Sequence, residues 1–150
     1  MATLYQVVHT LEQIALTQPN VRGTGEGDLF AYMNGKDAVK YDVVYLTQNK
    51  HQTVQPVTYG ASYTEGYDIF SFNIFYISRL TDDSSNALEV ESIGKEIITN
   101  ILRTFCDSYD SDIEGKIIWQ PFKEKFVDVC AGVYGVVKIK VPIDTICPEI

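Results

Sequence analysis

The chain is poor in the residues from which small reactive centres are built. Of its 150 residues only three are cysteine, two histidine and one tryptophan. Cys106, Cys130 and Cys147 stand far apart, an odd set that reads as reduced thiols and not as a disulfide framework. His9 and His51 lie equally far from them, so no zinc site of ordinary ligand spacing can be written. Neither a metal nor a cofactor is expected. No apolar run is long enough to span a bilayer. The segment Met1 to Gln6 has no basic start and no cleavable apolar stretch, so no secretory leader is expected. Basic residues are scarce too: 12 against 20 acids, for a net charge of -8. That balance argues against non-specific binding to duplex phosphates and against docking to an anionic membrane.

What is present is enough for one folded domain. The length buries a substantial core, and 45% hydrophobic residues is too apolar for disorder. The charge is local. Residues 81–115 carry nine acids and two bases, while the other 115 residues are nearly neutral.

Periodicity outlines the elements. Leu4, Val7, Val8, Leu11, Ile14 and Ala15 recur at helical spacing and predict a helix over about 3–17. Tyr41 to Thr47 reads as a strand. Residues 48–66 are polar and broken by Pro56, Gly60 and Gly66, which predicts an extended arm or long hairpin. Tyr67 to Ser78 is the strongest strand, with Phe70, Phe72, Ile74 and Tyr76 on one face and Ser71 and Asn73 on the other. Val90, Ile93, Gly94, Ile97, Ile101 and Phe105 form the stripe of a second helix ending near Cys106. Asn86 with Glu89 has capping-box spacing at its start. Lys116 to Gln120 predicts a short strand interrupted by Pro121, and Phe122 to Val127 a strand or bulged continuation. Val133 to Val141 predicts a last strand, with Val137, Ile139 and Val141 inward and Lys138 and Lys140 outward. A tail follows over 142–150. The order predicts an α+β fold over 1–150, a mostly antiparallel mixed sheet with two helices packed on one face.

Motifs for chemistry are weak. Gly23-x-Gly25-x-Gly27 lacks the spacing of a dinucleotide or phosphate loop and follows a helix, so a flexible turn is the better reading. Asp107, Asp110 and Asp112 do not follow the ligand order of an EF-hand loop, and with Asp82 and Asp83 they read as capping and solvated acids. His9 and His51, the latter in a polar loop, stand near no nucleophile. Cys106 and Cys130 read as small core residues. No nucleophile elbow or Cys–His signature is present. General-acid chemistry needs carboxylates brought together by the fold, and no motif here favours it.

The tyrosines are more informative. Seven of ten lie between Tyr32 and Tyr76. Tyr41, Tyr45 and Tyr76 suit the packing of a sheet face. Tyr59, Tyr63 and Tyr67 recur every four residues in a segment too polar for a core, and such stiff amphipathic rings suit a subunit contact.

Several segments in order carry a resemblance. They are Gly25-Glu26-Gly27-Asp28-Leu29, Tyr41-Asp42-Val43-Val44-Tyr45-Leu46, Tyr67 to Asp83, Asn86 to Phe105, Pro121 to Phe126, and Val129 to Pro148. Together the chain resembles the small tail-terminator-like or head–tail connector ring proteins of tailed phages infecting Bacteroidales, the crAss-like phages among them. The resemblance implies a virion structural protein without catalysis or cofactor, assembled in the host cytoplasm and placed in the tail or head–tail junction. It implies a ring of the chain with itself, about six or twelve copies around. The implied neighbours are portal, ring or tail-tube proteins, with DNA passing through the lumen unbound. An acidic lumen wall repels phosphate, so Asp82, Asp83, Asp107, Asp110 and Asp112 are candidates to face it. A different class, a small acidic cytosolic binding module such as a DNA mimic that inhibits a host nuclease, also suits the charge. A hydrolase whose site forms only on folding is a third.

Overall fold

A computed structural model describes residues 3–35, 39–54, 57–59, 62–64, 66–80, 87–125 and 129–142. The first helix, α1 (Leu4–Leu16), starts at a reciprocal cap. The Gln6 amide donates to the Thr3 hydroxyl at 3.2 Å, and the Thr3 amide donates to the Gln6 side chain at 3.0 Å. Two orphan donors of the first turn are thereby satisfied.

The chain then enters β1 (Gly23–Glu26), which pairs in parallel with β2 (Val43–Val54). This corrects the flexible turn expected at Gly23 to Gly27. The three glycines hide a strand because β-rich composition is absent there. The two within the strand sit at close approaches: a Cβ on Gly23 would stand 2.7 Å from the Lys40 carbonyl oxygen, and one on Gly25 2.7 Å from the Tyr45 ring. Between β1 and β2 lies α2 (Leu29–Met33), whose Asp28 carboxylate accepts from the Ala31 amide at 3.1 Å.

The other elements are β3 (Val57–Tyr59), β4 (Ser62–Thr64), β5 (Tyr67–Arg79), α3 (Ala87–Ser108), β6 (Asp112–Ile113), β7 (Ile118–Lys125) and β8 (Val129–Pro142). The main sheet runs β1-β2-β5-β8, with β6 and β7 following one another along the outer side of β8. Every pairing but β1–β2 is antiparallel. The fold is therefore α+β with a mixed, mostly antiparallel sheet.

The two sheet faces are covered differently. Phe70, Phe72, Ile74 and Tyr76 of β5 and Val137, Ile139 and Val141 of β8 pack under α1 and α3, with Leu11, Ile98 and Phe105 at the centre. The opposite face buries Val43, Tyr45, Phe75, Ile77 and Cys130 under Leu29 and Met33 of α2. A third, short helix thus lies on the face that the two-helix expectation left bare. Its five residues are too few for a helical period to register in the sequence.

Two further expectations are corrected. His51 lies within β2, not in a loop. Pro121 does not break its strand, since β7 stays in register with β8 from Ile118↔Val136 through Pro121↔Val133 to Lys125↔Val129. A proline keeps such a place only on an edge, where its missing amide faces away from the partner. The last helix ends at Ser108, close to the expected end near Cys106. Asn86 and the tail 143–150 lie outside the described residues, and Pro142 still pairs with Tyr67 at the end of β8.

Candidate functional site

The most individual part of the molecule grows out of the β2–β5 hairpin. β2 pairs with β1 only over Val43 to Leu46, yet it continues to Val54 against β5. From Thr47 onward its side away from β5 has no strand partner among the described residues. The register slips between Gln48 and Lys50, a bulge just past the end of β1. Between the two long strands lies a small separate hairpin, β3–β4, in which Tyr59 stands opposite Ser62 and Tyr63 opposite Thr58. Tyr67 opens β5, half-buried, with the Lys140 ammonium 4.0 Å above its ring centre. Of the three candidate contact tyrosines, Tyr59 and Tyr63 therefore share this small hairpin, and Tyr67 begins the main sheet.

At the root of this ribbon sits a polar cluster. Asp68 is only 4% exposed. It accepts from the Thr53 hydroxyl at 2.6 Å, and His51 Nε2 lies 3.3 Å from the same oxygen. The His51 ring stacks on Phe70 at 4.4 Å. A carboxylate at that depth needs these partners, so the cluster pins β2 to β5 where the sheet narrows to the ribbon. No motif announced it, because its members lie seventeen residues apart and meet only through hairpin register.

A second polar cluster joins α1 to β1. Thr24 donates to Glu12 at 3.4 Å, and His9 Nε2 stands 3.8 Å from a Glu26 oxygen. Burial raises the Glu12 carboxyl to about 8, and the hydrogen bond and like charge of Glu26 push the same way. Burial and the neighbouring Glu26 thus favour the protonated form of Glu12. On the other side of β1, burial and then the neighbouring Asp28 and Glu26 lift the Tyr45 phenol to about 12.

A third cluster is structural. Tyr76 and Ser78 both donate to the Asp42 carboxylate, Ser78 at 2.5 Å. Burial and this bond raise the Tyr76 phenol. The Asp42 carbonyl accepts from the Arg22 and Gly23 amides at 2.9 and 3.3 Å, tying the entry of β1 to that of β2.

The acidic candidates divide. Asp82 and Asp83 lie outside the described residues. Asp107 is exposed in the last turn of α3, Asp110 is exposed in the turn after it, and Asp112 is exposed on β6. Cys106 records their closeness. Its thiol is raised to about 11 by burial first, then by Asp112 and Asp107. Cys130 is fully buried beside the Tyr41 hydroxyl at 3.2 Å, and Cys147 lies outside the described residues. Among the described residues no group of three acidic, histidine or cysteine side chains could hold a metal ion. An open groove of about 230 Å³ runs between α3 and β7, lined by Glu91, Lys95, Trp119 and Pro121. Among the described residues no helix is long and apolar enough to cross a membrane.

No family model matches the chain, and no curated protein matches it.

Proposed function

We propose that the chain is a non-catalytic virion protein that assembles with itself into a ring, as a tail terminator or connector at the head–tail junction or tail end. The observation that carries this reading is the β2–β5 ribbon, which runs past β1 with one side of β2 unpaired among the described residues and the β3–β4 hairpin between its strands. Unpaired strand edges recruit other chains, and strand addition supplies backbone hydrogen bonds across a subunit boundary. A ring needs such a contact to be heterologous, with one surface of each copy meeting a different surface of the next. The exposed Asp107, Asp110 and Asp112, gathered at the end of α3 and the start of β6, suit a wall beside a DNA channel. DNA slides past such a surface without binding.

The test is the mass and shape of the purified protein, alone and with portal and tail-tube proteins from its own genome, by light scattering and electron microscopy. Closed rings are the expected result. A protein that stays monomeric with those neighbours overturns the reading. Capture of a basic host nuclease instead turns it toward the acidic mimic.

A further inference from the structure

β1 offers α1 very little to grip. Its four residues are Gly23, Thr24, Gly25 and Glu26, so Thr24 and Glu26 are its only side chains. They are two residues apart and share a face of the strand. On α1, His9 and Glu12 are three residues apart and share a face of the helix. The two pairs meet. The Thr24 hydroxyl donates to Glu12 Oε2 at 3.4 Å, and His9 Nε2 stands 3.8 Å from Glu26 Oε1. Tyr5, one turn earlier, lies against the His9 ring with centroids 4.1 Å apart.

This seam presses two carboxyl groups together without a fixed cation. Among the described residues no lysine or arginine pairs with Glu12 or Glu26. Glu12 Oε1 is buried with no hydrogen-bond partner. A carboxylate there has no donor to meet, and desolvation makes its charge costly. A carboxylic acid brings its own donor, and Glu26 is the acceptor within reach. The hydrogen bond between the two glutamates therefore exists only while one of them carries a proton. The surrounding elements do not offset the charge. From α2 the Tyr32 phenol and from β2 the Tyr45 phenol face Glu12, and Asp28 stands near Tyr45. α1 meets the sheet and α3 through Val7, Val8, Leu11 and Ala15, and α3 brings no charge to Glu12 among the described residues.

We propose that the α1–β1 seam is a pH-sensitive latch, closed while Glu12 carries a proton that it donates to Glu26, and loosened when both are carboxylates. His9 acts in the same direction, since an imidazolium attracts Glu26 and a neutral ring does not. With the Glu12 carboxyl raised to about 8, the latch loosens in the mildly alkaline range. What it governs is the edge of the sheet. β2 is the one strand partner of β1 among the described residues, and β1 covers it from Val43 to Leu46. The latch stands independently of the ring reading.

The test is amide hydrogen exchange of the full chain by NMR between pH 6 and pH 9, each rate divided by its intrinsic value. A carbon-detected titration of the Glu12 carboxyl runs alongside. The Gly23 and Gly27 amides, which bond to the Asp42 and Leu46 carbonyls, are expected to lose protection roughly tenfold or more relative to the β5–β8 pairs. Glu12→Gln keeps a donor for Glu26 and cannot ionise, so its protection is expected to stay level. Glu26→Gln, at an exposed position, removes the like charge and is expected to flatten the response as well. A loss equally large in β5 and β8 assigns the change to the whole fold and overturns the latch. So does a Glu12 carboxyl that titrates in the ordinary carboxylate range, or a pair of variants that respond to pH as the wild type does.

Discussion

At the residue scale the chain keeps some side chains where they cost stability. Glu12 is one. In the unfolded chain its carboxyl ionises near 4.5, and in the fold it holds its proton up to about 8. Between those values the folded state binds more protons than the unfolded one. The contribution to stability is therefore complete below about 4.5 and is lost as pH rises through about 8. Glu12→Gln is expected to remove this loss. Urea midpoints measured from pH 5 to pH 9 should fall less steeply for the variant, with the variant the more stable of the two at the alkaline end. Equal slopes would show that burial beside Glu26 does not raise the Glu12 carboxyl.

Asp107 is the second such residue. It stands in the last turn of α3, where the helix dipole favours a cation, and that turn holds no basic residue. Asp107→Lys should stabilise the fold by about 0.3–1 kcal/mol, visible as a higher Tm. It should also speed alkylation of Cys106 at mildly alkaline pH, because one of the charges holding that thiol protonated is gone. An unfavourable acid kept at this position is what an acidic wall requires.

At the scale of elements, legibility followed length and period. α3 and β5 were readable because Val90 to Phe105 repeats at helical spacing over many turns and Phe70 to Tyr76 alternates without a break. β1 was not readable. Its glycines carry no side-chain pattern, and they are there because the Lys40 carbonyl crowds Gly23 and the Tyr45 ring lies against Gly25. Gly94 has the same origin within α3. A Cβ there would stand 2.8 Å from both the Tyr76 ring and the Val133 side chain, which are buried and cannot retreat. Alanine gains up to about 1 kcal/mol of helix propensity, while overpacking costs about 1–3 kcal/mol. Gly94→Ala is therefore expected to destabilise the protein on balance, with a lower urea midpoint and an unchanged fold. A more stable variant would mean that α3 can shift along the sheet at little cost.

Gly132 is the sharper case. Its Cβ would fall 1.7 Å from the Tyr76 carbonyl oxygen, between two central strands. No side-chain rotation relieves a backbone contact, so Gly132→Ala is expected to yield little soluble folded protein.

At the scale of the whole molecule the question is what the ribbon is for. Replacing residues 55–66 with a tight turn removes β3–β4 and keeps every residue of the two described cores. If the ribbon serves assembly, the shortened protein keeps its thermal transition and loses its rings in electron micrographs. If rings persist, the contacts lie outside this segment. A strand edge that contributes only to folding would show the opposite pattern, with stability lost and assembly unmoved.

The sequence by itself determined the class of the fold, the long elements, the inward faces of β5 and β8, and the concentration of charge between Thr81 and Gly115. These follow from local period and composition, which a single chain displays openly. Tertiary structure alone decided that a glycine run is a strand, that a third helix covers the second face, and that Pro121 lies on an open edge. It alone brought Glu12 to Glu26 and His51 to Asp68. Each of these depends on which distant segments become neighbours. That is set by strand register and by the packing of two faces, and no window along the chain contains it.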